Sequence, residues 1–192
     1  MSILLSCNNH TGKEEEYINR LEKYRAEKDI EMRDSSYSPF NHKGKIEFHP
    51  LNYFEPNFDF IFKGKLTKYE KPDTVIIYGT KGEERESVRY GYLTLQNDKH
   101  KLKVNVYKSL SRDDKTKYYS IWFTDKTTGE ESYGVGRYLD FELNPDSNYI
   151  YTVDFNYAYN PYCSYSPNYS CAIPTKEDYL DIAIKAGEKR FH

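Results

Sequence analysis

The stretch DFNYAYNPYCSYSPNYSC, residues 154–171, is the densest group of side chains in this sequence that could do chemistry together. It contains five tyrosines, four Asp or Asn residues, two prolines and two of the chain's three cysteines. Carboxylates serve as general acids or bases, thiols as nucleophiles or disulfide partners, and tyrosine rings as amphipathic walls. The stretch therefore marks a candidate site, but its composition does not specify a reaction.

The histidines and cysteines do not show the spacing of a metal site. The five histidines lie at positions 10, 42, 49, 100 and 192, which fits no zinc motif. Cys163 and Cys171 are eight residues apart, so a zinc site built from these thiols and acidic groups is only an alternative. The segment GVGRY lacks the next glycine and the strand–helix context of a phosphate-binding loop. We expect neither a metal nor a cofactor.

The cysteine pair allows three interpretations. In an exported protein, a Cys163–Cys171 disulfide is expected, and closing so short a loop would stabilise the fold by about 2–3 kcal/mol. In a cytoplasmic protein, the two thiols would be reduced and buried. A catalytic thiol would need a nearby base, and no histidine lies close to either cysteine in sequence.

The first residues resemble the lipobox of bacterial lipoproteins. Leu4, Leu5 and Ser6 stand directly before Cys7, the position that such proteins attach to lipid. A complete signal peptide needs a basic segment and 7–15 apolar residues, and only Ile3 to Leu5 match it here. We therefore interpret residues 1–12 as a truncated signal and tether of a cell-envelope lipoprotein. The alternative is a chance match in a cytoplasmic protein.

The composition excludes two classes of function. Lys and Arg number 28 against 30 Asp and Glu, without the basic excess that nucleic-acid binding requires. The mean hydropathy of −0.91 and the absence of a long apolar run leave no membrane span, so membrane contact is expected only through a lipid anchor. The 21 tyrosines suit half-buried strands and binding clefts.

The pattern of apolar residues predicts a mainly β domain with an N-terminal helix. Helical spacing covers residues 13–33, and the apolar face thins beyond Tyr24, so we expect the second half of this helix to pack weakly. From residue 58 the apolar period changes to two, and short turn sequences separate the runs. In KLKVNVY one face carries Leu102, Val104 and Val106, and the other carries Lys101, Lys103 and Asn105. In YYSIWF one face carries Tyr119, Ile121 and Phe123. Short links favour antiparallel pairing. We predict an antiparallel barrel or sandwich of about seven or eight strands, within one domain spanning residues 13–192.

The end of the chain fits both a helical and a strand pattern. Thr175 and Asp178 form a helix N-cap pattern, whereas Leu180, Ile182 and Ile184 alternate as in a strand. We predict a late edge strand that follows a short turn at residues 176–179.

Three long motifs resemble the bacterial and archaeal domain-of-unknown-function family numbered 1684. They are TTGEESYGVGRYLDFE, the opening stretch with its continuation AIPTKEDYLDIAIKAGEK, and the strand VRYGYLTL. The resemblance runs from the YINRLEKYRAEKD helix to the AGEK tail. One departure is Glu177-Asp178, where the family usually has Glu-Asn. The resemblance implies no reaction. The positions it marks as characteristic are Arg89, Gly91, Thr128, Gly129, Tyr133, Gly134, Arg137, Tyr138, Asp140, Asp154, Asn156, Ala158, Tyr159, Asn160, Pro161, Cys163, Cys171, Gly187 and Glu188.

These residues allow a structural and a functional interpretation. In the first, the Asp and Asn side chains cap turns, and Arg137 forms a buried ion pair with Asp154, which we place on the core face of its strand. In the second, guanidinium groups bind an anion and tyrosine rings wall a cleft. The ligand-binding candidates are Arg89, Tyr133, Arg137, Asp154, Asn156, Tyr159, Asn160 and Glu188, with Tyr165 as a further wall.

The sequence thus favours a non-catalytic binding protein of the cell envelope. Its ligand would be a small polar or anionic molecule or a glycan, because small-molecule sites favour barrel mouths. The alternative is a hydrolase that uses Asp154, Glu188 or Cys163. A purely structural interaction module would show no cleft. The sequence does not specify the oligomeric state.

Overall fold

The computed structural model describes residues 12–110 and 117–192, and its architecture is mainly β. Helix α1, Gly12–Asp34, precedes a seven-stranded sheet that curls into a half-barrel. The predicted fold class is confirmed, and the predicted helix agrees with α1 to within one residue at each end. The strands are β1 (Ile61–Tyr78), β2 (Glu84–Gln96), β3 (Lys101–Leu110), β4 (Lys117–Asp125), β5 (Arg137–Phe141), β6 (Ile150–Asp154) and β7 (Tyr179–Leu180).

The strands follow the order β5-β4-β3-β2-β1-β6, and each neighbouring pair is antiparallel. Strand β7 lies off this path and pairs in parallel with β4. The backbone of Tyr138 on β5 exchanges hydrogen bonds of 2.9 and 3.0 Å with Tyr159, which follows β6. This bridge brings the segment after β6 against the free edge of β5.

The inner face of the sheet carries the main core. Leu102, Val104 and Val106 of β3 are buried there, as their alternation predicts. The outer face is divided. Its exposed end carries lysines of β1 and β3, and its other end carries a second apolar cluster of Ile77, Tyr107, Trp122 and Ala172.

Helix α1 packs mainly against the segment after β6 and the C-terminal tail, through few apolar contacts. Leu21 is fully buried, and the ring of Tyr24 packs edge-on against Tyr157 with centroids 4.9 Å apart. The second half of the helix was predicted to pack weakly, and this is wrong. Met32 is 5% exposed, and the Lys28 ammonium lies 2.8 Å from the buried carboxylate of Glu188.

The tail after residue 174 differs from the predicted edge strand. Residues Lys176–Asp178 form a 3-10 turn that begins with the expected cap at Thr175, but only two residues of β7 follow. The Asp178 carboxylate accepts hydrogen bonds from Tyr107 and from the amide of Asn105, at 2.8–2.9 Å. These bonds fix the turn over β3 and bury Asn105, which strand alternation had placed on the wet face. None of the described helices is long and apolar enough to span a membrane.

Candidate functional site

A row of four aromatic rings crosses the outer face of the sheet. Tyr107 stacks on Trp122 with ring centroids 4.4 Å apart. Trp122 and Tyr138 are paired positions of β4 and β5, with centroids 5.9 Å apart, and Tyr159 lies 6.1 Å beyond Tyr138. The row is continuous because side chains at paired strand positions lie on the same face. Burial raises the pKa of both Tyr138 and Tyr159, so their hydroxyls stay protonated.

Polar groups lie beside this row on the same two strands. Ser120 and Asp140 are paired in the β4–β5 register. The Asp140 carboxylate accepts a hydrogen bond of 2.7 Å from Tyr159. The Ser120 side chain is 4% exposed, and its hydroxyl has no hydrogen-bond partner in the described part of the chain. A buried hydroxyl left unpaired costs about 1–3 kcal/mol, so Ser120 is suited to bond a molecule bound above it.

Strand β2 and the segment before residue 172 form one wall above these rings. The Arg85 guanidinium bonds Glu83 and donates to the backbone carbonyl of Ser170 at 2.7 Å. The Ser170 hydroxyl donates to Glu83 at 2.7 Å. The hydrogen bonds from Ser170 and Arg85 together lower the pKa of Glu83 to about 2, so its carboxylate is charged throughout the neutral range.

The loop after α1 forms the opposite rim. Tyr37 is 76% exposed, and its ring lies 5.8 Å from that of His42. The Lys43 ammonium lies 4.5 Å from the centroid of the Tyr169 ring, a cation–π contact. The amide of Asn168 donates to the Lys43 carbonyl at 2.7 Å. These contacts tie the rim to the segment of residues 161–172.

Floor, wall and rim enclose a cleft with a volume of about 980 Å³, which we call the tyrosine cleft. Ligand sites commonly measure about 300–1,000 Å³, so this cleft is at the large end of the range. Its aromatic lining residues are Tyr37, Tyr118, Trp122, Tyr138, Tyr159, Tyr162 and Tyr169. Its charged lining residues are Lys43, Glu83, Arg85, Glu86, Lys108 and Asp140.

The two cysteines stand at the edge of the tyrosine cleft, and Cys171 lines it. Both are free, and the Cys163 backbone N–H donates to the Cys171 sulfur at 3.2 Å. The Tyr133 hydroxyl lies 3.6 Å from the Cys163 sulfur. Hydrogen bonds from the Cys171 thiol and from Tyr133 lower the pKa of Cys163 to about 6, whereas the pKa of Cys171 is raised. Within residues 12–110 and 117–192, no three His, Cys, Asp or Glu side chains are grouped so that they could hold a metal ion.

Arg137 is buried, as predicted, but its expected partner is wrong. The guanidinium is fully buried and bonds the Asp125 carboxylate at 2.7 Å. It also donates to the carbonyls of Ile184 at 2.8 Å and Glu188 at 3.2 Å. Asp154 lies instead on β6, at the opposite end of the strand order. Our assignment of Asp154 to the core face failed because Ile150 and Thr152, which alternate with it, are exposed.

Asp154 and Asn156 hold the segment after β6. Asp154 accepts from the Tyr17 hydroxyl of α1 at 2.7 Å and from the Asn156 backbone at 2.9 Å. The buried Asn156 amide bonds both backbone groups of Asn57, at 2.8 and 2.9 Å. Asp154 also borders a separate cavity of about 520 Å³. The contacts of both residues thus match the capping role of the structural interpretation.

Asn160 and Glu188 belong to a buried polar group beneath α1. One Glu188 oxygen faces Lys28, and the other accepts from Tyr165 and, at 2.9 Å, from the Asn160 backbone. The Asn160 amide donates to the Lys189 carbonyl at 2.7 Å. Neither Glu188 nor Tyr165 lines the tyrosine cleft.

Arg89 lies at a third place, beside a cavity of about 530 Å³ at the lysine end of the outer face. Its guanidinium bonds Glu177 at 2.5 Å, and the Glu177 side chain is 65% exposed. Tyr133 touches Cys163 rather than the cleft floor. The ligand-binding candidates therefore do not converge on one site. Of them, only Tyr159 lines the tyrosine cleft.

The sequence interpretation missed most of the cleft. Trp122, Ser120 and Arg85 were not candidates, although Tyr138 and Asp140 are among the positions that the family resemblance marks. A signal was present in β4, where Tyr118, Ser120 and Trp122 alternate with the core-facing residues. Aromatic residues on the second face of a strand indicate that another part of the chain packs on this face or that the face binds a ligand.

Comparisons with known proteins agree with this architecture. A solved structure of an uncharacterized protein from Haloarcula marismortui is similar, with 28% sequence identity and a TM-score of 0.65. The similarity covers 92% of this chain and 96% of that one. No curated protein gave a significant match. The family model described as "Protein of unknown function (DUF1684)" matches residues 46–189, three quarters of the chain. The protein therefore belongs to the DUF1684 family.

Proposed function

We propose that this protein binds a small polar or anionic molecule or a glycan in the tyrosine cleft, without transforming it. The observation that carries the proposal is the cleft itself. Seven aromatic rings line about 980 Å³, and the buried Ser120 hydroxyl at its floor has no partner among the described residues. Aromatic walls with a few convergent polar groups are typical of small-molecule sites.

The contacts of the acidic candidates favour binding over hydrolysis. A hydrolase that uses two carboxylates needs both beside the substrate. Glu188 is buried against Lys28 and Tyr165, outside the tyrosine cleft, and Asp154 borders a different cavity. Cys163 has a lowered pKa, but it hydrogen-bonds Cys171 and Tyr133 rather than a histidine.

A blocked cleft tests the proposal. Thr74 is an exposed residue of β1 that lines the tyrosine cleft, so Thr74→Trp would fill part of the cleft without disturbing the core. Thr67→Trp is the matched control, because Thr67 is an exposed residue of the same strand outside the cleft. Native mass spectrometry would follow each variant after incubation with an envelope extract of the source organism.

We expect the natural sequence and Thr67→Trp to retain a bound molecule from the extract, and Thr74→Trp to lose it. If the natural protein captures nothing, or if both variants capture the same molecule, the cleft is not a binding site.

We further propose that the protein works in the cell envelope as a lipoprotein. The support is the lipobox-like sequence Leu4–Cys7, which lies outside the described residues. A version with a complete lipoprotein leader joined at Cys7 should partition into detergent, and Cys7→Ala should return it to the aqueous phase. Aqueous partitioning with Cys7 intact would contradict the proposal.

A further inference from the structure

We infer that the ligand of the tyrosine cleft is an uncharged carbohydrate longer than a single sugar ring. This inference rests on the proposed function and narrows its three ligand classes to one. Three features of the cleft support it: the balance of its charges, the exposure of its rings and the polar groups of its floor.

The charges of the cleft cancel. Three cationic side chains and three carboxylates line it, so the lining has no net charge with His42 neutral. Several of these charges are already matched within the protein. Arg85 is bonded to Glu83, and Lys43 lies over the Tyr169 ring. An anionic ligand would bring a charge with few free cations to meet it, whereas an uncharged ligand would leave these pairs intact.

The rings of the cleft are presented to solvent. Tyr37, Tyr118 and Tyr162 are 76%, 49% and 42% exposed, and they stand on three separate segments around the opening. The negative face of an aromatic ring attracts polarised C–H groups. Sugar rings offer such C–H groups on their flat faces and hydroxyls around their edges. Exposed rings on three separate segments therefore match a chain of sugar rings.

The floor of the cleft requires a ligand rich in hydroxyl groups. Ser120 offers a hydroxyl that is unpaired among the described residues, and Asp140 on the neighbouring strand offers a carboxylate that accepts a hydrogen bond from Tyr159. A purely apolar molecule seated here would leave these groups unpaired, at a cost that disfavours it. Hydroxyls of a carbohydrate can both donate and accept, so they can satisfy Ser120 and Asp140 together.

The test separates glycans by charge. Envelope glycans of the source organism are divided by anion exchange into a neutral and an anionic fraction, and each fraction is incubated with the purified protein. Native mass spectrometry then measures the mass that is added. We expect added masses of at least two sugar units from the neutral fraction, and binding that changes little between about 0.05 and 0.5 M salt, because screening acts on charged ligands.

A matched pair of variants tests whether the glycan binds in the cleft. Tyr118 and Tyr179 are 49% and 48% exposed, but only Tyr118 lines the tyrosine cleft. Tyr118→Ala should weaken binding of the neutral fraction at least tenfold, and Tyr179→Ala should leave it unchanged.

Two outcomes overturn the inference. Binding from the anionic fraction alone excludes an uncharged carbohydrate. A molecule without sugar rings that is captured from the whole extract and lost in Thr74→Trp does the same, while it leaves the proposed binding function standing. If the whole extract yields no bound molecule at all, the proposed function fails first, and the inference fails with it.

Discussion

The Arg137 guanidinium is fully buried, and its partners are all parts of the protein. It joins the Asp125 carboxylate to carbonyls of the C-terminal segment, so one side chain links β5, the end of β4 and the tail. Arg137→Met would leave Asp125, itself buried, without its counter-charge. We expect a loss of about 3–5 kcal/mol in the free energy of unfolding, measured by urea denaturation.

Arg33→Met is the control for Arg137. Arg33 pairs with Asp34 at 2.8 Å, but both side chains are more than half exposed. Such surface pairs contribute little because water screens them. Equal effects of the two substitutions would show that burial does not set the strength of the Arg137 contacts.

The burial of Arg137 was predictable from the sequence, but its partner was not. Alternation within RYLDFEL places Arg137 on the face of Leu139 and Phe141, and all three are buried. The choice of Asp125 depends on how β5 pairs with β4. That register is a long-range property that the local sequence does not determine.

Glu83 provides a test by pH. Its hydrogen bonds with Ser170 and Arg85 hold its pKa at about 2, below the ordinary value of 4.5. A depressed carboxyl pKa stabilises the folded state above pH 4.5, and the stabilisation disappears as the pH falls from 4.5 through 2. Titration followed by the NMR shift of the Glu83 carboxyl carbon should give a midpoint near 2, and Arg85→Met should raise it. A midpoint near 4.5 in the natural sequence would contradict the hydrogen bonds that Ser170 and Arg85 donate to Glu83.

At the scale of elements, one glycine allows the tail to reach the core. Gly187 has a φ of +74°, and a Cβ atom there would lie 2.5 Å from the Ala158 carbonyl oxygen and 2.7 Å from that of Phe155. Both obstacles are backbone atoms, so the tail itself would have to move. That movement would displace the neighbouring Glu188 from Lys28 and Tyr165.

We therefore expect Gly187→Ala to destabilise the fold by more than about 1 kcal/mol, as judged from its thermal midpoint. Gly82→Ala is the comparison, since Gly82 also has a positive φ but no atom lies within 4 Å of its Cβ position. The close approach at Gly187 would be refuted if the two substitutions lowered the midpoint equally.

The cysteine pair joins two elements that wall the cleft. Cys163 lies in a 3-10 turn that contacts Tyr133, and Cys171 is bonded through its backbone to Thr80 after β1. Oxidised glutathione should take two electrons and two protons from the thiols, yielding a Cys163–Cys171 disulfide and two reduced glutathione molecules. Closing this loop should stabilise the protein by about 2–3 kcal/mol relative to its reduced form.

Mass spectrometry of the oxidised protein would detect the loss of two hydrogen atoms, and denaturation with and without reductant would give the stability difference. Cys171→Ser should abolish both effects. A protein that keeps two free thiols under these conditions would rule out the pairing.

The sequence predicts strands well where one face of the sheet meets water. In β3, the alternation of Leu102, Val104 and Val106 identified the core face correctly. It misled at Asn105, because a distant turn carries Asp178 over that position and buries it. In β4, the core face was recognised, but Trp122 on the second face was not, since its partners Tyr107 and Tyr138 come from other strands. Cover from a remote segment leaves no local signal at Asn105, whereas in β4 the aromatic residues of the second face were a signal of such cover.

At the scale of the whole molecule, the cleft is assembled from segments far apart in sequence. The rim follows α1, the floor comes from β4 and β5, and the wall comes from β2 and residues 161–172. Six residues of the dense stretch 154–171 line the cleft, namely Tyr159, Pro161, Tyr162, Tyr169, Ser170 and Cys171. Its Asp and Asn residues, however, mainly hold backbone together. Which tyrosines lie next to each other depends on how the sheet curls, and the local sequence does not determine this.

The same architecture relates the cleft to the proposed lipid anchor. Four residues separate Cys7 from Gly12, the first residue of α1, so an anchored protein would hold the start of α1 near the bilayer. The 23 residues of α1 extend about 34 Å at 1.5 Å per residue, and the rim residue Tyr37 follows its other end. The ion pair between Lys28 and the buried Glu188 fixes the helix to the C-terminal tail. We therefore expect the cleft to open away from the membrane.

Fluorescence quenching by brominated lipids can measure this arrangement, because Trp122 is the chain's single tryptophan and lies on the cleft floor. In vesicles that carry the lipidated protein, Trp122 should not be quenched. A second protein with Trp122→Phe and Glu15→Trp moves the fluorophore to an exposed position in the first turn of α1, where quenching should be strong. The contrast should vanish in Cys7→Ala, which lacks the anchor. Equal quenching at both positions would mean that the domain lies flat on the bilayer, and its cleft would then face lipid rather than the soluble glycans of the envelope.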